Sequence, residues 1–267
     1  MNTTDTNTTP DGLNDSRNAA DSHKVILISN DDGIEAPGLH RLVECVADLG
    51  QVWVVAPDSA RSGQSSAMTV NSPLRIREHE TYRGARMFSV NGTPVDCVKL
   101  AMHCIVPERP ALMLSGINHG SNAGNSVIYS GTMGAAFEAA MIGIPAVGFS
   151  LLHRSLKADF THCMKYVKEI SERVLTEGLP WGVCLNVNFP AKTAIEGIKT
   201  VKAARSYWTE EYADMTDPHG KPFYWLTGRQ VNLEPDDPST DLYWLDRRYA
   251  TIVPCRADQT AHDLLPD

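Results

Sequence analysis

The chain has 267 residues, 42 % of them hydrophobic and 21 % charged, which suits one large α/β domain, or a domain with an appendage, and argues against global disorder. A formal net charge of −8 argues against a nucleic-acid-coating role, which needs a basic face to neutralise phosphates, yet a small anionic substrate stays compatible because a bound metal inverts the charge of one local site. The six cysteines are scattered without a C-x-x-C pair, so they indicate neither a zinc or redox motif nor a disulfide framework and read as small hydrophobes of a reducing compartment.

Residues 1–23 are polar, rich in Thr, Asn and Asp, and lack an apolar stretch, the composition of a disordered tail rather than a signal peptide. No later apolar run reaches the length of a membrane span, so a cytoplasmic protein is expected. Lys24–Ser29 (KVILIS) is a short β-branched run, the pattern of a strand buried on both faces. Pro37–Leu49 has helical spacing, with Leu39, Leu42, Val43, Val46 and Leu49 on one face and Gly50 at its end. Gln51–Ala56 (QVWVVA) is a second buried strand, and the β-α-β order predicts a right-handed crossover in a parallel sheet.

Ser72–Arg77 and Arg86–Val90 read as short strands in an antiparallel excursion. Thr93–His103 is predicted helical, with Thr93 as N-cap and Pro94 at the first helical position. Ala111–Leu114, Ala146–Ser150 and Cys184–Asn188 are further core strands, the last of them before Pro190, separated by an Ala-rich helix over Thr132–Ile142 and an amphipathic helix over Phe160–Glu177. From about Arg205 aromatic pairs alternate with turn-rich segments, which reads as a β-hairpin arm and loops. The expected organisation is a tail over 1–23, a Rossmann-like catalytic domain over 24–204, a mostly parallel sheet flanked by helices, and a C-terminal β-hairpin arm with a tail over 205–267.

Ligands of open parallel α/β sheets bind beyond the carboxyl ends of the strands, so the loops leaving those ends carry the candidates. They are Asn30-Asp31-Asp32-Gly33, Pro57–Gly63 and Ser115–Asn122, all polar and rich in oxygen donors. Asp31 and Asp32 would face opposite ways in a regular strand and converge only if the chain leaves extended geometry, for which Gly33 supplies freedom. Two close carboxylates repel unless a cation lies between them, and oxygen-only donors favour a hard ion such as Mg²⁺ or Mn²⁺. An isolated acid pair is more often a helix cap and a solvated residue; its position at a strand end beside two other polar loops reverses that preference. Ser62 and Asn118 offer neutral oxygens, although each alone reads as a turn residue. His119 is a candidate acid or base, against the commoner reading of a hydrogen-bonding loop histidine.

Ser130-Gly131-Thr132 opens the Ala-rich helix, where free N–H groups suit a phosphate and an ordinary N-cap is equally compatible. Glu138 within that helix is either solvated or a buried acid. The late aromatics read as the packed face of a hairpin or an oligomer contact, and Arg61 and Arg75 receive no role.

Val25–Gly38 (VILISNDDGIEAPG), Val55–Gly63 (VAPDSARSG), Asn91–Cys97 (NGTPVDC), Ser115–Asn122 (SGINHGSN) and Val127–Thr132 (VIYSGT), in that order, resemble the signature blocks of the SurE (survival protein E) nucleotidase family, and Gly220–Gly228 (GKPFYWLTG) extends the likeness into the arm. Ala123–Ser126 (AGNS) departs from it, standing where a more acidic loop is usual. The resemblance implies Asp31, Asp32, Ser62 and Asn118 as ligands of one divalent cation per subunit, Mg²⁺ or Mn²⁺, and Asn122 with Ser130, Gly131 and Thr132 on the phosphate side. It also implies hydrolysis of nucleoside 5′- or 3′-monophosphates, with Asp31, Asp32 and Asn118 in the catalytic centre, and a homodimer or homotetramer that exchanges C-terminal arms. Short polyphosphate is left open as a further substrate. A haloacid-dehalogenase-type site would need its acids spaced D-x-D, which adjacent Asp31 and Asp32 do not satisfy. A nucleotide-binding module without catalysis has no need of two carboxylates beside a phosphate.

Overall fold

The computed structural model describes residues 24–153, 155, 157–191 and 194–265; the tail expected over 1–23 lies outside them. The strands are β1 (Val25–Ser29), β2 (Gln51–Pro57), β3 (Ile76–Tyr82), β4 (Ala85–Val90), β5 (Leu112–His119), β6 (Ala146–Leu151), β7 (Val183–Phe189), β8 (Ile198–Thr200), β9 (Ser206–Thr209), β10 (Tyr212–Thr216), β11 (Pro222–Leu226), β12 (Arg229–Asn232) and β13 (Ala250–Arg256). The helices are α1 (Pro37–Val46), α2 (Pro94–Leu100), α3 (Gly131–Met141), α4 (Met164–Glu177) and the short α5 (Asp241–Leu245). None of them is long and apolar enough to cross a membrane.

The main sheet has the order β3-β4-β2-β1-β5-β6-β7-β13-β8, with β4, β2, β1, β5, β6 and β7 mutually parallel. From β1 the chain builds outward to β2 and β4, then returns to the other side of β1 for β5, β6 and β7. The β1–β5 boundary is therefore the topological switch point, where the loops leaving two neighbouring strands diverge and leave a crevice. The alternation of β1 explains its burial on both faces. Ile26 and Ile28 enter the core shared with α1 and α4, while Val25 and Leu27 enter the opposite core, which contains residues of α2 and α3. Leu39, Leu42, Val43 and Val46 of α1 are buried as their spacing predicts.

Four expectations are corrected. The strand expected over Ser72–Arg77 instead runs from Ile76 to Tyr82, antiparallel to β4; it is a charged edge strand (IREHETY) whose mostly exposed side chains give no apolar alternation to read. The helix expected over Thr93–His103 ends at Leu100 and continues as a π-helical turn over Ala101–Ile105. The helix expected from Phe160 begins at Met164. Cys184–Asn188 is not the last core strand: β13 lies antiparallel against β7 and brings Ile252 and Ala250 into the core. Of the C-terminal segment, β10 and β11 form the projecting hairpin, and β9 pairs with β12 at its root.

The loop that carries Ser62 is anchored by a capping box. Thr93 Oγ1 accepts from Asp96 N at 3.2 Å, and Asp96 Oδ2 accepts from Thr93 N at 2.9 Å, while both carboxylate oxygens also accept the Thr69 N–H at 3.1 Å. Burial pushes the Asp96 carboxyl up, but the hydrogen bonds from Thr69 and Thr93 outweigh it and hold the group below its ordinary value. Asp96→Asn turns an amide NH₂ toward an N–H donor, and is expected to destabilise the protein by about 1–2 kcal/mol at pH 7. A carboxyl lowered by folding stabilises above its unfolded pKa, so urea titrations should show the wild-type advantage shrinking as pH falls below about 4.

Candidate functional site

Asn30 shapes the turn that brings the two aspartates together. Its Nδ2 donates to Gly33 O at 2.9 Å and its Oδ1 accepts Gly33 N at 3.2 Å, closing a side-chain-templated turn at the end of β1. Gly33 adopts φ +99°, the left-handed conformation expected of it, and packs against the Ser59 backbone. The Arg61 N–H donates to Asp31 O at 2.7 Å, and Ile34 N to Pro57 O at 2.8 Å, so the loops after β1 and β2 are tied side by side.

Asp31 is only 4 % exposed. Its Oδ1 accepts a 2.6 Å hydrogen bond from Thr132 Oγ1 at the start of α3. A Cβ at Gly131 would lie 2.8 Å from Asp31 Cβ, so only glycine lets the helix N-terminus close over this carboxylate. Burial, with the charge of Asp32 added, raises the Asp31 carboxyl to about 6, against a partial lowering by the Thr132 hydroxyl. Asp32 faces the other side: its Oδ2 accepts the His119 N–H at 3.1 Å and lies 2.9 Å from His119 Nδ1. Asn118 donates its Nδ2 to Gly120 O at 2.9 Å, which leaves Oδ1 outside that bond. Ser62 is exposed and follows directly on Arg61. The Gln64–Val70 stretch beyond it is held to the turn before α3 by Ser65 N to Tyr129 O at 3.2 Å and Ser65 Oγ to Ile128 O at 2.6 Å.

The phosphate-side candidates are occupied more fully than the sequence suggested. Ser130 Oγ accepts Met133 N at 3.0 Å as an N-cap, and the Thr132 hydroxyl is committed to Asp31. Buried Asn122 donates Nδ2 to Ser150 Oγ at 2.7 Å and its N–H to Asn188 Oδ1 at 2.9 Å, while its carbonyl accepts Asn186 Nδ2 at 2.9 Å. Sequence reading missed Ser150, Asn186 and Asn188; polar residues on alternate positions of a core strand (CLNVN) were the available signal. It also missed Asp241, wholly buried, which accepts Gly124 N and Ala204 N, both at 2.8 Å, and so fastens the divergent Ala123–Ser126 stretch to the root of the arm.

Glu138 is a buried acid paired with Lys99 of α2 at 2.6 Å. Arg61 pairs with Asp58 at 3.0 Å. Arg75 lines a cavity of about 410 Å³ with Arg77, His79, Ser89 and Asn91, on the α1 side of the sheet and not beside α3.

Two carboxylates, a hydroxyl and a carboxamide suit a hard divalent cation. Among the described residues no group of three or more His, Cys, Asp or Glu side chains converges as a metal site, so a cation here needs the neutral oxygens of Ser62 and Asn118. Burial and the charge of Asp32 raise the Asp31 carboxyl, and a bound cation would offset both.

A doubly wound sheet with a carboxylate pair at its switch point defines a Rossmann-like protein with an oxygen-donor site at the carboxyl ends of its strands. The family model described as survival protein SurE matches residues 26–210, and the chain belongs to that family. It is 48 % identical over 248 residues to the 5′-nucleotidase SurE of Christiangramia forsetii, covering 91 % of this chain and 95 % of that one. With the 5′-nucleotidase SurE of Cytophaga hutchinsonii it shares 45 % identity over 91 % and 95 % of the two chains. The crystal structure of the SurE protein from Aquifex aeolicus superposes with a TM-score of 0.78 at 36 % identity, covering 90 % of this chain and 96 % of the other.

Because the Asp31 carboxyl is raised from 3.8 to about 6, its ionised form weakens the metal-free fold. In urea titrations of chelator-treated protein, Asp31→Asn is expected to stabilise by on the order of 2 kcal/mol at pH 7 to 8. The penalty it removes is fully present above the folded pKa and absent below the unfolded one. The gain should therefore fade as pH falls from about 6 to about 4.

Proposed function

We propose that this protein is a divalent-cation-dependent phosphomonoesterase that hydrolyses nucleoside 5′-monophosphates, and 3′-monophosphates as well, to nucleoside and phosphate. What supports it is the acid pair Asp31-Asp32 at the β1–β5 switch point, beside the N-terminus of α3, in a chain of the SurE family whose relatives carry the name 5′-nucleotidase. Asp31, Asp32, Ser62 and Asn118 would hold one Mg²⁺ or Mn²⁺ ion. When bound, the cation supplies the Lewis acid that neutralises phosphoryl oxygens.

Asp31 and Asn118 orient the attacking water on the face of phosphorus opposite the ester oxygen. The new P–O bond forms to that water as the bond to the nucleoside oxygen breaks, and the water's proton ends on the leaving alkoxide. The Ser130-Gly131-Thr132 turn directs a helix N-terminus at the phosphoryl group, and Asn122 holds that turn's neighbouring loop through Ser150 and Asn188. The purified protein is expected to release phosphate from AMP or GMP with Mn²⁺ and to stop when chelator is added. Asp31→Asn should lower turnover by at least about 100-fold while the protein stays folded. Chelator-insensitive release, or wild-type turnover in Asp31→Asn, would overturn the assignment.

The β10–β11 hairpin supports a second reading, of assembly. Tyr212, Tyr224, Trp225 and Leu226 are each 64–66 % exposed on a two-stranded ribbon, an apolar surface that a lone ribbon cannot bury. A second copy of the chain is the partner proposed, in a homodimer or homotetramer. Light scattering of the wild type should give a multiple of the 29.3 kDa chain mass. Replacing Tyr224 and Trp225 together by Ser should shift it toward the single-chain value.

A further inference from the structure

His119 follows Asn118 at the end of β5, where the register with β6 shifts between Ser115 and Asn118. Its side chain is 3 % exposed, against 12 % for Asp32. The ring lies edge-on to Phe160, with centroids 5.2 Å apart at 86°. Both its backbone N–H, at 3.1 Å, and its Nδ1, at 2.9 Å, address the same atom, Asp32 Oδ2. A carboxylate oxygen only accepts, so Nδ1 carries the hydrogen. The other ring nitrogen, Nε2, is buried with no partner among the described residues, which leaves Asp32 as the ring's one hydrogen-bonding contact there.

A histidine packed merely as filler would be expected to satisfy both nitrogens or to leave one in water. Here a polar ring is buried with one nitrogen orphaned, and what it gains is a fixed grip on one oxygen of a candidate ligand. Asp32 Oδ1 has no protein donor among the described residues and is the oxygen left for a cation. Thr132 grips one oxygen of Asp31 in a comparable way from the opposite face of the sheet.

We infer that His119 is a positioning residue, whose Nδ1–H locks the Asp32 carboxylate so that a single oxygen is offered to the divalent cation. This rests on the cation site proposed above. Hydrogen-bonded partners of ligating groups commonly change metal affinity 10- to 100-fold when removed. His119 touches neither substrate nor cation in this scheme and acts only through Asp32.

Titrating Mn²⁺ into the full chain without substrate, followed by electron paramagnetic resonance, reads the site independently of turnover. His119→Phe keeps a ring against Phe160 but removes the donor; His119→Asn places an amide N–H near the Nδ1 position but removes the ring. His119→Phe is expected to weaken Mn²⁺ binding at least about tenfold, and His119→Asn to stay within about threefold of wild type, with thermal melts confirming that both fold. Equal affinities in all three proteins, or weakening in His119→Asn but not in His119→Phe, would overturn the role of the Nδ1–H. If the wild type itself binds no Mn²⁺, the cation site falls and this inference with it, an outcome distinct from wild-type binding that His119→Phe leaves unchanged.

Discussion

Everything in the site depends on holding two neighbouring carboxylates together at the end of one buried strand. Left alone, adjacent acids in an extended chain point to opposite faces and repel when brought near. The Asn30–Gly33 turn ends the extended geometry just after β1. The two faces of the sheet then supply one donor each, Thr132 from α3 for Asp31 and His119 from β5 for Asp32. Charge repulsion is thereby opposed by hydrogen bonds anchored in two separate cores.

The topology makes this arrangement possible. Building outward from β1 in both directions separates the loops after β2 and β5 and opens a crevice above β1. Arg61 N on Asp31 O brings the Ser62 loop to one side of it, and Asn118 and His119 close the other. The polar ladder of Asn122, Ser150, Asn186 and Asn188 continues across β6 and β7, so hydrogen bonds fasten the loop leading to α3 to the sheet, beside the packing of its Val127 against the core. Asp241 extends that support to the arm root, joining Gly124 to Ala204 through one buried carboxylate.

The elements divide by how much of their role is local. Buried strands such as VILIS and VWVVA, and the amphipathic α1, were legible because burial on both faces or on one stripe leaves a periodicity in the chain itself. The edge strand β3 was misplaced because an exposed strand carries no such pattern, and β13 was missed because its partners, β7 and β8, lie some fifty to seventy residues earlier in the chain. Strand polarity alone singled out the loops that carry Asp31, Asp32, Ser62 and Asn118, and the family resemblance grouped these four as candidates.

By itself, then, the sequence determined the parallel α/β architecture and the family, since each of these is written in short stretches of neighbouring residues. Only the tertiary structure decided what each donor's neighbours do. Thr132 stands 101 residues from Asp31 and His119 87 residues from Asp32, and no local pattern announces which hydroxyl or imidazole a carboxylate will meet across such distances. Those pairings are set by how α3 packs on β5, β6 and β7 and how β5 pairs with β1, and they make the Thr132 hydroxyl and the His119 ring neighbours of the two aspartates.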